Sequence, residues 1–357
     1  MDDIKLFKIH YFTESDLADI LSFYATKPIS DIHFQVNSPI KVRSKGLLLS
    51  ITDKPLFHQE MIDIVNALYG SNGFAEILKG NELDFSYSLK LFDSSVVRYR
   101  VNITACNGDF NTSGQITMRL IQNSIPQLTQ LVVEDDLRQI LVKHKGLVII
   151  AGSTGSGKST LLASALEYRM QTEACKVVTY EAPIEYTFSP KRTDSIITQS
   201  EVPKHIQSFE SGIRNAMRRD PDVIMVGETR DLDTLLALLN AAITGHAVCT
   251  TMHSQGVVDT FSRIKHLLGD DRLAIFDLIR SLDAIVWQKL IRTKSGSYEA
   301  IREYLILDER TKTLVVDALQ KNDLNLLDIL LKEKNTHRQN KIENLISRGE
   351  LDNSLYI

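Results

Sequence analysis

The chain has 357 residues, 43% of them apolar and 24% charged, with 41 basic against 45 acidic side chains and a net charge of −4. That length allows two domains with separate cores. The near-neutral balance excludes a broad electrostatic pull toward nucleic acid or anionic lipid, so no direct nucleic-acid partner is expected.

The acidic start, Met1-Asp2-Asp3-Ile4, carries no signal-peptide pattern. Leu17, Ile20, Leu21 and Tyr24 stand at i, i+3, i+4 and i+7 and predict a helix over 14–26. Ser30 to Val36 alternates like a half-buried strand. The runs 39–43 and 47–51 follow, with Gly46 between them as in a hairpin. Helical spacing returns over 58–69, and 83–91, 96–104 and 115–121 alternate again. Residues 1–121 therefore read as an α+β domain on a mainly antiparallel sheet. Ile125-Pro126-Gln127-Leu128 interrupts the pattern, and 122–133 reads as a linker.

From 134 to 357 the style is α/β. Candidate strands at 147–151, 176–180, 223–227 and 247–251 are separated by helical stretches, the alternation of a parallel sheet covered on both faces. Beyond 256 the chain reads as mostly helical, with an amphipathic helix over 322–334 and a loosely packed polar tail from Asn335. The apolar runs reach only about five residues, against ~20 for a membrane span, so any membrane contact is expected to be peripheral. Cys106, Cys175 and Cys249 form no C-x-x-C pair, which fits a reducing cytosol.

The chemistry centres on Gly152-Ser153-Thr154-Gly155-Ser156-Gly157-Lys158-Ser159-Thr160, set between the apolar run 147–151 and a predicted helix. Strand, glycine-rich loop and helix around G-x-x-x-x-G-K-S make a phosphate-binding loop in its required context. Backbone N–H groups and the helix N-terminus face the phosphates. Lys158 would reach the β- and γ-phosphates of ATP, and Ser159 would ligate Mg²⁺. Val223 to Val226, Gly227 and Glu228 form a buried strand that emerges on an acid, the residue expected to hold metal-bound water or take a proton. Asp220 and Asp222 stand at the other end of that strand.

Glu181 and Glu185 follow the strand 176–180, expected to lie beside the loop strand, and either approaches the phosphates as a base for the attacking water. A solvated turn is the plain alternative for that segment. His246 and His253 flank the strand 247–251, so they belong to opposite ends of it, with His253 on the nucleotide side and His246 structural or bridging. Arg98, Arg100 and Arg119 lie on predicted strands of the first half. Their planar guanidinium groups would suit phosphate from the same or an adjacent chain, or salt bridges within their own sheet.

The set Gly-Ser-Thr-Gly-Ser-Gly-Lys-Ser-Thr, Tyr-Glu-Ala-Pro-Ile-Glu-Tyr, Arg-Arg-Asp-Pro-Asp-Val-Ile-Met-Val-Gly-Glu-Thr-Arg-Asp and Thr-Gly-His with Thr-Met-His resembles the secretion ATPases of the PilT/GspE superfamily, over about 15–310. The Tyr-Glu-x-Pro-Ile-Glu form, Val101 to Cys106, Gln115 to Arg119 and Trp287-Gln288-Lys289-Leu290 resemble its DotB-like branch, which serves type IVB secretion and related plasmid conjugation. The resemblance implies a PAS-like first domain, a RecA-like motor domain and a homohexameric ring. It implies a cytoplasmic protein associated peripherally with the inner membrane through secretion-complex proteins. Glu185 is implied as the catalytic glutamate of the Asp box and Glu228 as the Walker B glutamate. His246 and His253 are implied in the His box, with the first-domain arginines facing nucleotide. Two departures stand out: Ala182 replaces the aspartate that names the Asp box, and the Ala-Ile-Arg motif of pilus-retraction motors has no counterpart near 309–314. Secretion or conjugation is therefore the expected role, with pilus retraction and a RecA-like DNA motor as alternatives.

Overall fold

A computed structural model describes residues 4–108, 111–121, 124–188 and 194–351. Its contacts divide the chain into two units, Met1–Ser124 with Ala182–Thr187, and Ile125–Glu181 with Phe188–Ile357. Residues 122 and 123 of the expected linker lie outside the described residues.

The first unit opens with α1 (Glu14–Tyr24), whose N-terminus is fixed by a capping box between Thr13 and Asp16. Strands β1 (Asp31–Gln35), β2 (Lys41–Ser44) and β3 (Leu47–Ser50) follow, then helices α2 (His58–Tyr69) and α3 (Gly73–Leu78). Strands β4 (Leu83–Lys90), β5 (Val96–Asn107) and β6 (Thr112–Ile121) complete a six-stranded sheet in the order β3-β2-β1-β6-β5-β4, with every pairing antiparallel.

Register follows the period-2 pattern. Ile32 pairs with Met118 and Ile103 with Ile116, and these side chains join a core shared with Leu17 of α1 and Met61 of α2. The alternate residues face the other way, where His33 pairs with Thr117 and Arg100 with Arg119. Arg98, two residues before Arg100, shares that face.

In the second unit a short 3-10 turn, Leu128–Leu131, leads into α4 (Asp135–Leu141), β7 (Gly146–Ala151) and α5 (Lys158–Thr172). Next come β8 (Lys176–Glu181), β9 (Ile196–Glu201), α6 (Phe209–Ala216), β10 (Val223–Val226), α7 (Leu232–Ile243) and β11 (Ala247–Met252). Helices α8 (Val257–Leu268) and α9 (Arg272–Ser281), strands β12 (Leu282–Arg292) and β13 (Tyr298–Ile306), and helices α10 (Glu309–Lys321), α11 (Asn325–Glu333) and α12 (Arg338–Ser347) follow. The seven-stranded sheet runs β13-β12-β7-β11-β10-β8-β9. Every pairing in it is parallel except that of β12 with β13.

Both faces of the central strands are covered, as a parallel sheet requires. Leu147, Ile149 and Ala151 of β7 enter one core with Leu238 of α7 and Phe261 of α8. Val148 and Ile150 are buried on the opposite face, where α5 contacts β7. This is the RecA-like arrangement expected of the second half.

Three expectations about this unit are corrected. The region after 256 is not mostly helical: β12 and β13 extend the sheet. Strand β8 does not lie beside β7, because β11 and β10 stand between them. The segment after Asn335 is not a loose tail up to residue 351, since α12 buries Leu345 in the main core and Leu351 is buried after it; residues 352–357 lie outside the described residues.

Candidate nucleotide site

The loop from Gly152 to Gly157 leaves β7 and enters α5 at Lys158. Its conformation depends on missing side chains. Gly152 has φ +146°, and a Cβ there would stand 2.4 Å from the Gln288 carbonyl oxygen. Gly157, with φ +83°, is the residue before the first turn of α5. The first N–H groups of α5 lack partners within the helix and lie at its positive end, so Gly157, Lys158, Ser159 and Thr160 offer backbone donors to an anion. Ser153, Thr154 and Gly155 form the exposed rim of the loop.

Lys158 is buried, and its Nζ donates to the carbonyls of Gly152 and Ser153, both at 2.9 Å. The ammonium thus spans the mouth of the loop. Ser156 is 2% exposed and its Oγ is buried without a hydrogen-bond partner, a polar atom left over inside a phosphate cradle. This donor set fits a nucleoside triphosphate.

Ser159 lies in the first helical turn beside Lys158, in position to offer Mg²⁺ a hydroxyl. Among the described residues no group of His, Cys, Asp and Glu forms a ready-made metal cluster.

The ends of β10 and β11 supply the neighbouring acid and base. Glu228 follows β10 and His253 follows β11, and the strands pair in parallel, so both residues emerge together. Glu228 Oε1 is 3.3 Å from His253 Nε2, and its Oε2 is 2.6 Å from Arg230 Nη2. Burial and then the Lys158 charge hold His253 below the usual histidine value, while Glu228 pulls it upward. The imidazole is therefore kept neutral close to the loop lysine. Its strand is locked to β10 below: Thr251 Oγ1 donates to the Gly227 carbonyl at 2.6 Å, and Thr229 N donates to the Thr251 carbonyl at 2.8 Å.

His246 lies at the opposite end of β11, about 20 Å of strand away. There its Nδ1 meets the Ala241 carbonyl and Thr244 Oγ1, each at 3.1 Å. Asp222 is likewise at the far edge, accepting from Lys176 N at 2.8 Å.

Glu181 closes β8, is 5% exposed, and accepts from Thr179 Oγ1 at 2.7 Å and Gln199 Nε2 at 3.1 Å. Glu185 belongs to the first unit. There Arg98, 4% exposed, donates to the carbonyls of Ile184 at 2.7 Å and Glu185 at 3.3 Å. Arg100 makes a two-pronged pair with Asp84, and Arg119 donates twice to Asp31 Oδ1.

Comparisons with known proteins give the family. The family model described as "Type II/IV secretion system protein" matches residues 14–343. The chain belongs to the type II/IV secretion system protein family. It is 30% identical over 302 residues to the type IV pilus retractation ATPase PilT of Pseudomonas aeruginosa, covering 84% of this chain and 85% of that one. The crystal structure of the ATPase DotB of Legionella pneumophila superposes with a TM-score of 0.84 at 34% identity, covering 98% of this chain and 100% of that one. The pilus retraction motor PilT with bound ADP superposes with a TM-score of 0.80 at 29% identity, covering 95% of each chain. As a type II/IV secretion system protein of the PilT/GspE superfamily, the chain is an ATPase. None of the helices among the described residues is long and apolar enough to cross a membrane.

The sequence assigns no role to two residues that lie against Glu228 and the loop. Arg230, two residues beyond Glu228 in the same motif, pairs with it. Gln288 lies beneath the loop, where a Cβ on Gly157 would meet its Nε2 at 2.9 Å. A signal for Arg230 exists in its spacing from Glu228. Gln288, 130 residues downstream of the loop, stands in the Trp287-Gln288-Lys289-Leu290 stretch that carries part of the resemblance, but its spacing does not announce a place beneath the loop.

Proposed function

We propose that this chain is a ring-forming ATP hydrolase, a homohexamer that powers a type IVB secretion or conjugation machine through interdomain motion. The likeness to DotB over nearly the whole chain supports that branch. The observation that carries the hydrolase reading is the meeting of Glu228 and His253 at the strand ends beside the Lys158 loop.

In this reading the loop N–H groups and Lys158 bind the phosphates, with Ser159 as the protein's ligand to magnesium. Mg²⁺, when bound, neutralises charge on the β- and γ-phosphates. Glu228 holds the attacking water and orders it against the phosphorus, while Arg230 keeps that carboxylate in place. His253, neutral and adjacent, donates through Nε2 to Glu228 and senses the terminal phosphate. Glu185, its main chain fixed by Arg98, is the second acid and takes the proton from water. Glu181 shapes the site from β8, and Arg98, Arg100 and Arg119 are the arginines offered to phosphate, in the same or an adjacent chain. His246 serves a contact at the other end of β11. The linker 122–133 is the hinge, and the ring works in the cytoplasm against inner-membrane secretion proteins.

Pilus retraction is the second reading, favoured by the 30% identity to PilT over 84% of this chain. Light scattering of the purified full chain, with and without ATP and Mg²⁺, alongside phosphate release, tests the proposal. A six-fold particle that turns over ATP is expected; a monomer under all conditions contradicts the ring.

A further inference from the structure

Beneath the phosphate loop runs a chain of buried hydrogen bonds that the reaction scheme above does not use. Gln288 of β12 and Arg302 of β13 are direct cross-strand partners, 3% and 4% exposed. Gln288 Nε2 donates to the Ser156 carbonyl at 2.8 Å, and Arg302 Nε donates to Gln288 Oε1 at 2.9 Å. A guanidinium has only donors, so the Gln288 amide has one permitted orientation: oxygen toward Arg302, N–H toward the loop.

The rest of the guanidinium reaches the chain just ahead of α4. Its Nη2 donates to the Leu131 carbonyl at 3.0 Å, and its Nη1 donates to the Val132 carbonyl at 3.0 Å and Glu134 Oε2 at 3.1 Å. Val132 is held there at φ +47°, a backbone setting that a β-branched residue rarely adopts. Something must hold that residue in place, and Arg302 fixes its carbonyl.

We infer that Gln288 is a positioning residue for the phosphate loop and that Arg302 ties the loop's geometry to the strap 131–134. The glycines make the coupling tight. A Cβ on Gly152 would strike the Gln288 main-chain oxygen and one on Gly157 would meet its Nε2, so the loop packs directly on this residue and the Gly157 end of it lies against the Gln288 side chain. When Lys158 leaves its loop carbonyls for a phosphate, the Ser156 carbonyl remains anchored from below, with the neighbouring N–H groups turned toward the anion. A change in the loop also reaches residues 131–134 through Arg302, along charge-assisted or amide hydrogen bonds that are buried at Gln288 and partly buried at the strap.

This rests on the loop being the nucleotide site, and the test separates the two ideas. Gln288→Glu keeps an acceptor for Arg302 but loses the donor to Ser156; Gln288→Met loses the donor without adding charge. Both should raise the dissociation constant for a fluorescent ATP analogue about 10-fold, the scale set by a buried carbonyl left without its partner. KM should rise alike, with kcat at saturating ATP within about threefold, since only binding geometry is lost.

In the wild-type chain, ADP should slow hydrogen exchange at 131–134; in Gln288→Glu that response should vanish. A merely structural role predicts lowered thermal stability with unchanged affinity in the folded fraction, and either that result or a strap indifferent to ADP in the wild type overturns the inference. Lys158→Ala is the control for the underlying site: unchanged affinity there means the loop reading itself has failed, whereas lost affinity there with normal Gln288 variants means only the relay has.

Discussion

His253 is the residue whose surroundings say most about the site. Burial and the Lys158 ammonium depress its pKa, and Glu228 opposes them. Removing each neighbour should move the ring in opposite directions. In an NMR titration, Glu228→Gln should lower the His253 pKa further and Lys158→Met should raise it; equal values in all three proteins contradict the arrangement. The depressed value also fixes the sign of a stability effect. The folded chain binds this proton less readily than the unfolded one. The associated stability is whole above the ordinary value near 6.5 and is lost as pH falls from there toward the folded value. Denaturation midpoints should decline over that interval, and replacing His253 with Gln should remove this part of the decline. Glu228 and His253 were both legible in the sequence because each comes just after a buried strand, β10 or β11. Arg100 and Arg119 were legible as strand arginines suited to phosphate or to salt bridges within their sheet; the structure shows the salt bridges, and the identity of their partners, Asp84 and Asp31, depends on cross-strand register.

Elements were legible where burial was one-sided. α1, α2 and the alternating strands of the first unit show their period because one face meets a core and the other does not. Strand β12 carries Ala284-Ile285-Val286-Trp287 buried on both faces, which erases the two-residue period and reads equally well as a helix. Strand β9 fails for the opposite reason, since Ile196 to Ser200 is only partly covered. The misplacement of β8 has another cause: alternation of strands and helices announces a parallel sheet but not the order of its strands, and β11 returns to the β7 edge from later in the chain.

Within the first unit, α2 carries a fully buried acid. Glu60 accepts from Phe12 N at 2.6 Å, Phe57 N at 2.8 Å and Lys54 Nζ at 2.6 Å. Glu60→Ala should cost that unit about 3 kcal/mol, because it strands a buried amide and a lysine. The sole tryptophan, Trp287, lies in the second unit. The loss should therefore appear as an earlier transition in far-UV circular dichroism with little change in the tryptophan-fluorescence midpoint. Identical dichroism curves contradict the assignment.

At the scale of the whole molecule the charge balance still discriminates. A net charge of −4 offers no basic surface overall, so binding to duplex DNA should be weak at low salt and lack the steep salt slope of phosphate neutralisation. Tight binding that collapses with added salt would favour a DNA motor instead. In the proposed reaction Glu228, at the end of β10, positions the water that cleaves ATP beside the Lys158 loop. The most direct measurement is phosphate release with ATP and Mg²⁺ by the full-length Glu228→Gln variant, paired with its affinity for an ATP analogue. Turnover should fall by about 100-fold or more while affinity stays within a few-fold of wild type, as loss of a water-positioning acid requires. Turnover equal to wild type in a variant that binds ATP normally would contradict the account.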